Sequence, residues 1–189
     1  MIDDGYIKYN CNWKKQAINV PDEVLKNLNE FRSKLVQKNM IGKIPDGPGF
    51  GNISVRFNHG FLITGSNTGH LTELTASDLA FVNKVDVKYN SLWCIGESIA
   101  SSESMTHAVI YQQANAVIHI HCKSLWQKFL FRFPTTSTEF SFGTPEMANA
   151  IKKLIKLHPN ELIVLGGHED GIIVYGNTLS EAYDKIRKY

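Results

Sequence analysis

The amino-acid sequence predicts one α/β domain, and three observations carry that prediction. Residues 51–57 alternate apolar and polar side chains, and after an Asn-His-Gly turn residues 61–64 read as a second strand, which is typical of a β-hairpin. Residues 116–122 form a short apolar run that indicates a buried strand. Apolar residues recur at helical spacing in residues 22–40 and again in residues 145–155, so amphipathic helices are expected beside the strands.

Length and composition limit the classes of function. The chain has 189 residues, and we expect a single domain over residues 1–189 in which residues 1–20 form an N-terminal arm packed on the body or on a neighbour. The formal net charge is +2 and the basic residues are scattered, so no nucleic-acid surface is expected. No apolar run approaches the roughly 20 residues of a membrane span, and the N-terminus lacks a signal pattern. With three distant cysteines that suit reduced thiols, these features favour a cytoplasmic protein without membrane partners.

The first half of the chain reads as a helix, a loop and a hairpin. Pro21 suits the first turn of a helix, two acidic residues follow it, and Gly42 ends the helix. Residues 43–52 are rich in Pro, Gly and Asp, which predicts a loop. After the hairpin, residues 65–70 contain small residues whose backbone N–H groups can approach an anion closely. A simple surface turn is the alternative for this segment.

The segment Ser101-Ser102-Glu103 follows a predicted meander at residues 80–95 and opens a helix. Two interpretations stay open. The serine hydroxyls can cap the helix while the acid complements its dipole. Alternatively, the hydroxyls bind an oxyanion while Glu103 faces a metal ion as a ligand or acts as a base.

A pair of histidines marks the predicted strand at residues 116–122. His119 and His121 are two residues apart, so their side chains point to the same face of the strand. Two imidazoles on one face can bind one Zn²⁺. The alternative is that both rings are packing residues bonded to backbone carbonyls, but two such histidines on one apolar strand favour a metal.

The last part of the chain supplies a candidate for the third ligand. A helix is expected over residues 125–132, and Thr144 and Pro145 begin another helix that His158 stops. Strands at residues 162–165 and 172–176 enclose a tight loop that contains His168, and a helix closes the chain from residue 180. We expect His168 to be the third metal ligand, with Asp170 as its substitute. An exposed turn histidine is the alternative.

These motifs occur in an order that resembles the class II aldolase/adducin family across about residues 22–186. That family includes fuculose- and rhamnulose-phosphate aldolases, a ribulose-phosphate epimerase and a methylthioribulose-phosphate dehydratase. The resemblance is carried by Gly51-Asn52-Ile53-Ser54, the loop from Ile63 to Gly69, Ser101-Ser102-Glu103 with His107 and Tyr111, His119-x-His121, Phe142-Gly143-Thr144 and the His168 hairpin.

The resemblance implies a three-layer α/β/α fold around a mainly antiparallel central sheet, assembled as a homotetramer with active sites at subunit interfaces. It implies that His119, His121 and His168 bind Zn²⁺ or another divalent transition metal, and that Glu103 is a base or a fourth ligand. It also implies a set of residues that bind the substrate phosphate, namely Asn52, Thr68, Gly69, Ser101 and Ser102.

The function implied is that of a metal-dependent class II aldolase-like lyase. Its substrate would be a small hydroxy-carbonyl compound, a sugar phosphate, and the reaction would proceed through a metal-stabilised enediolate. An epimerase or a dehydratase of the same family would use much the same residues. A non-catalytic, adducin-like oligomerising module is the alternative of another class, and the retained histidines argue against it.

Overall fold

The computed structural model describes residues 6–189, so the first five residues of the predicted N-terminal arm lie outside the described residues. The strands are β1 (Asn10–Lys15), β2 (Gly42–Lys43), β3 (Gly49–Phe50), β4 (Asn52–Phe57), β5 (Gly60–Thr64), β6 (Leu79–Asp86), β7 (Ser91–Gly96), β8 (Ala116–His121), β9 (Ile163–Val164) and β10 (Gly171–Gly176). The α-helices are α1 (Asp22–Gln37), α2 (Ser104–Ile110), α3 (Lys123–Phe129), α4 (Pro145–Leu157) and α5 (Leu179–Asp184), and a short 3₁₀ helix spans Ala76–Asp78.

The main sheet has the strand order β1-β7-β6-β5-β4-β8-β10-β9. Its neighbours pair in antiparallel fashion except β1 and β7, which run parallel at one edge. The described part of the N-terminal arm therefore packs on the body as an edge strand. Strands β2 and β3 form a separate small hairpin that overlaps the segment 43–52, for which the sequence predicted a loop.

Helices cover both faces of the main sheet. Alternate side chains of β8 divide between two apolar clusters: Val117 packs with residues of α2 and α4, whereas Ile118 packs with residues of α1, α3 and α5. This division follows from the two-residue period of a strand. The α/β/α layers and the mainly antiparallel sheet agree with the predicted fold class. None of the helices within residues 6–189 is long and apolar enough to cross a membrane.

The predicted first turn is correct for α4 and wrong by one residue for α1. Helix α4 begins as expected, since Pro145 is its first residue and the Thr144 hydroxyl accepts a hydrogen bond from the Met147 N–H at 3.3 Å. At α1 the prediction was wrong by one position, because Pro21 is the residue before the helix. Its extended backbone, with a ψ of 139°, leads the chain into the first turn without being part of it.

Gly51 links the small hairpin to β4 and sets the direction of that strand. Its φ is +72°, in the left-handed region, and a Cβ there would lie 2.7 Å from Ile41 Cγ1. Only glycine fits this turn, after which Asn52 lies opposite His119 in the sheet register.

Candidate metal centre

The three histidines lie together at one end of the sheet. His119 and His121 occupy alternate positions of β8 and face the side covered by α2 and α4, and their ring centroids are 4.8 Å apart. His168 lies in the loop between β9 and β10. Because Gly171 at the start of β10 pairs with His121, this loop stands beside the pair, with ring centroids 5.2 Å from His119 and 4.7 Å from His121.

Burial keeps the His119 imidazole neutral. The ring is 1% exposed, and burial lowers its pKa well below 6.5; the neighbouring His121, His168 and His107 act in the same direction. Within residues 6–189, His119 Nε2 meets no hydrogen-bond partner. A neutral imidazole with an available ring nitrogen is the form that binds a metal ion.

The three rings fit a divalent transition metal. One nitrogen of each lies within 4.8 Å of the others, and tetrahedral ligands with bonds of about 2.1 Å are separated by about 3.4 Å. Binding of an ion would therefore draw the ring nitrogens closer together. Among the described residues, the group close enough to share an ion comprises these histidines and does not include Asp170.

Glu103 is a buried acid next to this centre. Its side chain is 3% exposed, and its Oε1 lies 3.4 Å from His168 Nδ1. In the part of the chain that the structure describes, its Oε2 accepts no hydrogen bond. A carboxylate enclosed in this way needs a cation or a proton donor to offset the cost of its burial.

The chain before α2 holds Glu103 in place. The Glu103 N–H approaches the Ser101 hydroxyl at 3.4 Å, and Ser104 Oγ donates to the Ser101 carbonyl at 2.6 Å. Tyr9, from the N-terminal arm, donates its hydroxyl to the carbonyls of Ala100 at 3.1 Å and Ser101 at 3.0 Å. Sequence reasoning missed Tyr9, because a lone aromatic residue far away in the chain gives no local signal.

The segment with Thr68 and Gly69 packs against the small hairpin. A Cβ on Gly69 would lie only 2.0 Å from the Gly42 carbonyl oxygen, so glycine is required for this close approach. The Thr68 hydroxyl donates to the Gly65 carbonyl at 2.8 Å. Any anion contact from Thr68 would therefore come from its backbone N–H group.

One cleft brings all the predicted site residues together. Asn52 lies beside the first histidine, with 3.5 Å between its Nδ2 and His119 Nδ1. Two aromatic rings that the sequence did not single out as cleft residues form apolar walls: Phe50 lies 5.5 Å from the His121 ring and Phe142 lies 4.8 Å from the His168 ring. The predicted residues that line the cleft are Asn52, Thr68, Gly69, Ser101, Ser102, Glu103, His119, His121 and His168.

His107 and Tyr111 stand four and eight residues after Glu103, a spacing that places side chains on one face of a helix, but they do not line this cleft. Both side chains instead meet Ser54 of β4. Ser54 Oγ lies 2.6 Å from His107 Nδ1, and the Tyr111 hydroxyl donates to Ser54 Oγ at 2.7 Å. Helix α2 runs from the cleft into the core within two turns. Glu103 therefore lies in the cleft, whereas His107 and Tyr111 lie in the core.

Residues 46–126 match the family model described as Class II Aldolase and Adducin N-terminal domain. This part of the chain, somewhat less than half of its length, is similar to the class II aldolase/adducin family. This confirms the resemblance that the sequence motifs indicated. No curated protein matches the chain in a sequence comparison.

Solved class II aldolase structures share the fold at low sequence identity. An l-fuculose-1-phosphate aldolase from Thermus thermophilus is 22% identical, with a TM-score of 0.65 over 88% of each chain. A sugar-phosphate aldolase from Thermotoga maritima is 16% identical, with a TM-score of 0.67 over 88% of this chain and 90% of that one. The N-terminal class II aldolase domain of a Thermoplasma acidophilum protein is 16% identical, with a TM-score of 0.56 over 90% and 92%.

Proposed function

We propose that this protein is a metal-dependent class II aldolase-like lyase that acts on a small hydroxy-carbonyl compound, a sugar phosphate, by enediolate chemistry. The observation that carries the proposal is the convergence of three imidazoles beside a buried carboxylate in one polar cleft. Two of the similar structures are named as aldolases of phosphorylated sugars, which supports this substrate class.

His119, His121 and His168 would hold Zn²⁺ or another divalent transition metal. When bound, the metal supplies Lewis-acid stabilisation of negative charge that develops on substrate oxygens. Burial of His119 keeps its imidazole deprotonated over the physiological pH range, which is the state needed for this role.

Glu103 would move the proton at the reacting carbon. Its carboxylate is almost completely buried, and the rings of Phe50 and Phe142 line the same cleft. A base held in a position of low exposure is poorly solvated, so proton transfer to it needs little solvent rearrangement.

The opposite side of the cleft would bind the phosphate group of the substrate. Its polar groups are an amide, two hydroxyls and backbone N–H groups, all of which can donate hydrogen bonds to anionic oxygens. They belong to Asn52, Thr68, Gly69, Ser101 and Ser102.

An epimerase or a dehydratase of the same family would use these same residues, and product analysis distinguishes the three reactions. A non-catalytic, adducin-like oligomerising module has no need of three clustered histidines beside a buried acid.

We further expect a homotetramer with the cleft at a subunit interface. Light scattering during size-exclusion chromatography measures the oligomeric state, and a monomer would remove the interface from the proposal.

The test of function is a screen of ketose phosphates with protein reconstituted with Zn²⁺, Mn²⁺ or Co²⁺. We expect release of an aldehyde product, followed by NMR, from the metal-loaded protein and none after treatment with a chelator. Absence of both cleavage and proton exchange in every ketose phosphate, with one metal bound per chain, would contradict the proposal.

A further inference from the structure

Arg32 is a charged side chain inside the apolar layer of α1. It lies on the same helix face as Leu28 and Leu35, and its exposure is 0%. An arginine in this position is unusual, because burying a guanidinium is costly unless its N–H groups and its charge are compensated. An arginine within an apolar helical stripe is a signal that is visible in the sequence.

The guanidinium is bound to backbone carbonyls of the segment that follows β5. Nε donates to the Leu71 carbonyl at 2.9 Å, and Nη2 donates to the carbonyls of Leu71 at 2.8 Å and Thr68 at 2.5 Å. Among residues 6–189, no carboxylate lies within ion-pair distance of Arg32, and its Nη1 has no hydrogen-bond partner. Burial lowers the pKa of Arg32 to about 10, with the charge of Asp78 acting in the opposite direction, so the group keeps its charge at neutral pH.

The contact with Thr68 fixes the direction of one peptide group. The C=O of Thr68 and the N–H of Gly69 belong to the same trans peptide unit, so they point in opposite directions. With the carbonyl held by Arg32 on the α1 side, the Gly69 N–H points away from α1. Gly69 lines the cleft, and no described residue accepts a hydrogen bond from its N–H.

We propose that Arg32 is a positioning residue that turns the Thr68–Gly69 peptide into a receptor for the phosphate dianion of the substrate. It holds the Gly69 N–H in the cleft, polarises that peptide through its carbonyl, and places a positive charge behind the segment. A bound dianion in turn compensates the buried charge. This inference rests on the proposed function, since it assigns the origin of phosphate specificity in the same cleft.

The test compares Arg32 variants with a matched anchor of the same segment. Asn29 also lies on α1 and holds Leu74 by two bonds of 2.8 Å, one from Nδ2 to the carbonyl and one from the N–H to Oδ1. Asn29→Ala therefore loosens the far end of the segment without removing a charge or touching the Thr68–Gly69 peptide. Arg32→Met removes both the charge and the fork of donors, and Arg32→Lys keeps the charge alone.

The probe is inorganic phosphate, titrated into each metal-loaded protein at neutral pH and followed by calorimetry and by the amide NMR signal of Gly69. We expect Arg32→Met to weaken phosphate binding by about tenfold or more, because the charge-assisted hydrogen bond from Arg32 to the Thr68 carbonyl and the positive charge behind the segment are both lost. Arg32→Lys should weaken binding by roughly threefold, and Asn29→Ala by less than about twofold, although its melting temperature falls. Phosphate should shift the Gly69 amide proton in the wild type and not in Arg32→Met.

The outcomes separate this inference from the function on which it rests. Phosphate binding in the wild type that Arg32→Met leaves unchanged overturns the role of Arg32 alone. Equal losses of phosphate affinity in Arg32→Met and Asn29→Ala also overturn it. Such a result would mean that the affinity depends only on how well residues 68–74 are ordered. If Arg32→Met does not fold, unchanged affinity in Arg32→Lys overturns it. Absence of phosphate binding in the metal-loaded wild type removes the phosphate pocket from the proposed function itself.

Discussion

Two clusters of buried polar side chains lie on the same face of the central sheet, and they differ in what satisfies them. The first, which we term the serine cluster, consists of Ser54, His107 and Tyr111. Tyr111 donates to Ser54 at 2.7 Å, and Ser54 lies 2.6 Å from His107 Nδ1. Tyr111 also stacks on Phe61 with ring centroids 4.7 Å apart. Among the described residues, His107 Nε2 is the one polar side-chain atom of this cluster that lacks a hydrogen-bond partner, and the cluster does not line the cleft.

The second, which we term the histidine–glutamate cluster, consists of His119, His121, His168 and Glu103. It opens on the cleft, and atoms such as His119 Nε2 lack a partner among the described residues. Strand β4 contacts both clusters. Asn52 borders the histidine–glutamate cluster, and Ser54, two residues further along the strand, belongs to the serine cluster. Buried polar groups with internal partners therefore stabilise the fold, whereas those directed into a cleft are available to a ligand.

Replacing the acid of the histidine–glutamate cluster should have the largest effect. In Glu103→Gln, we expect proton exchange at the substrate carbon to fall by roughly 10²–10⁴-fold, because the variant has no base to move the proton. Metal content should stay unchanged. NMR in D₂O measures the exchange, and exchange at the wild-type rate would remove Glu103 from this role.

The serine cluster should contribute to the pH dependence of stability through His107, in addition to the contribution of His119, whose pKa burial also lowers. Burial lowers the pKa of His107 from 6.5 to about 3 in the folded protein. As the pH falls below 6.5, His107 binds a proton in the unfolded chain but stays neutral in the folded protein. The stabilisation that the neutral, buried His107 contributes to the fold is therefore complete above pH 6.5 and is lost as the pH falls toward 3. The slope is up to roughly 1.4 kcal/mol per pH unit.

Urea unfolding of chelator-treated protein at pH values of about 7, 6 and 5 measures this slope, since removal of metal excludes competition between protons and metal ions. His107→Gln should show a shallower dependence than the wild type. Parallel curves for the two proteins would show that His107 is not buried in a neutral form.

A smaller effect is expected from the phenol of the serine cluster. Tyr111→Phe removes the hydrogen bond to Ser54 and should lower the free energy of unfolding by about 1 kcal/mol, with metal content and activity unchanged. Tyr175→Phe is the matched control, because its hydroxyl makes a longer bond of 3.3 Å to the His158 carbonyl. A loss of metal in Tyr111→Phe would mean that the two clusters are coupled.

The smallest effect is expected at the edge of the histidine–glutamate cluster. Ser102→Ala should raise KM for a phosphorylated substrate by roughly fivefold and leave KM for its unphosphorylated counterpart unchanged, because one hydrogen bond to the phosphate is lost. Steady-state kinetics with the two substrates measure the ratio. An equal rise for both would count against a phosphate contact from Ser102.

The sequence predicts the parts of this site that depend on local pattern. The alternation in β8 puts His119 and His121 on one face, and the glycine-bounded loop before β10 identifies His168. Each inference needs only the period of a strand or the chemistry of a turn. The order of the motifs along the chain then indicates the family.

Contacts between distant parts of the chain are outside the reach of such patterns. Tyr9 binds the carbonyl of Ala100 across 91 residues of sequence, through an edge strand that pairs in parallel with β7. No local signal specifies that pairing. The same holds for His107, which shares a helix face with Glu103 but enters the serine cluster because β4 passes beneath α2.

The most direct test of the central claim is the metal content of the purified protein, measured by elemental analysis beside His168→Ala and His107→Gln. The histidine–glutamate cluster predicts close to one transition metal per chain in the wild type and in His107→Gln, and loss of that metal in His168→Ala. A wild-type protein that stays free of metal after reconstitution with Zn²⁺ would contradict the account and favour an oligomerising module.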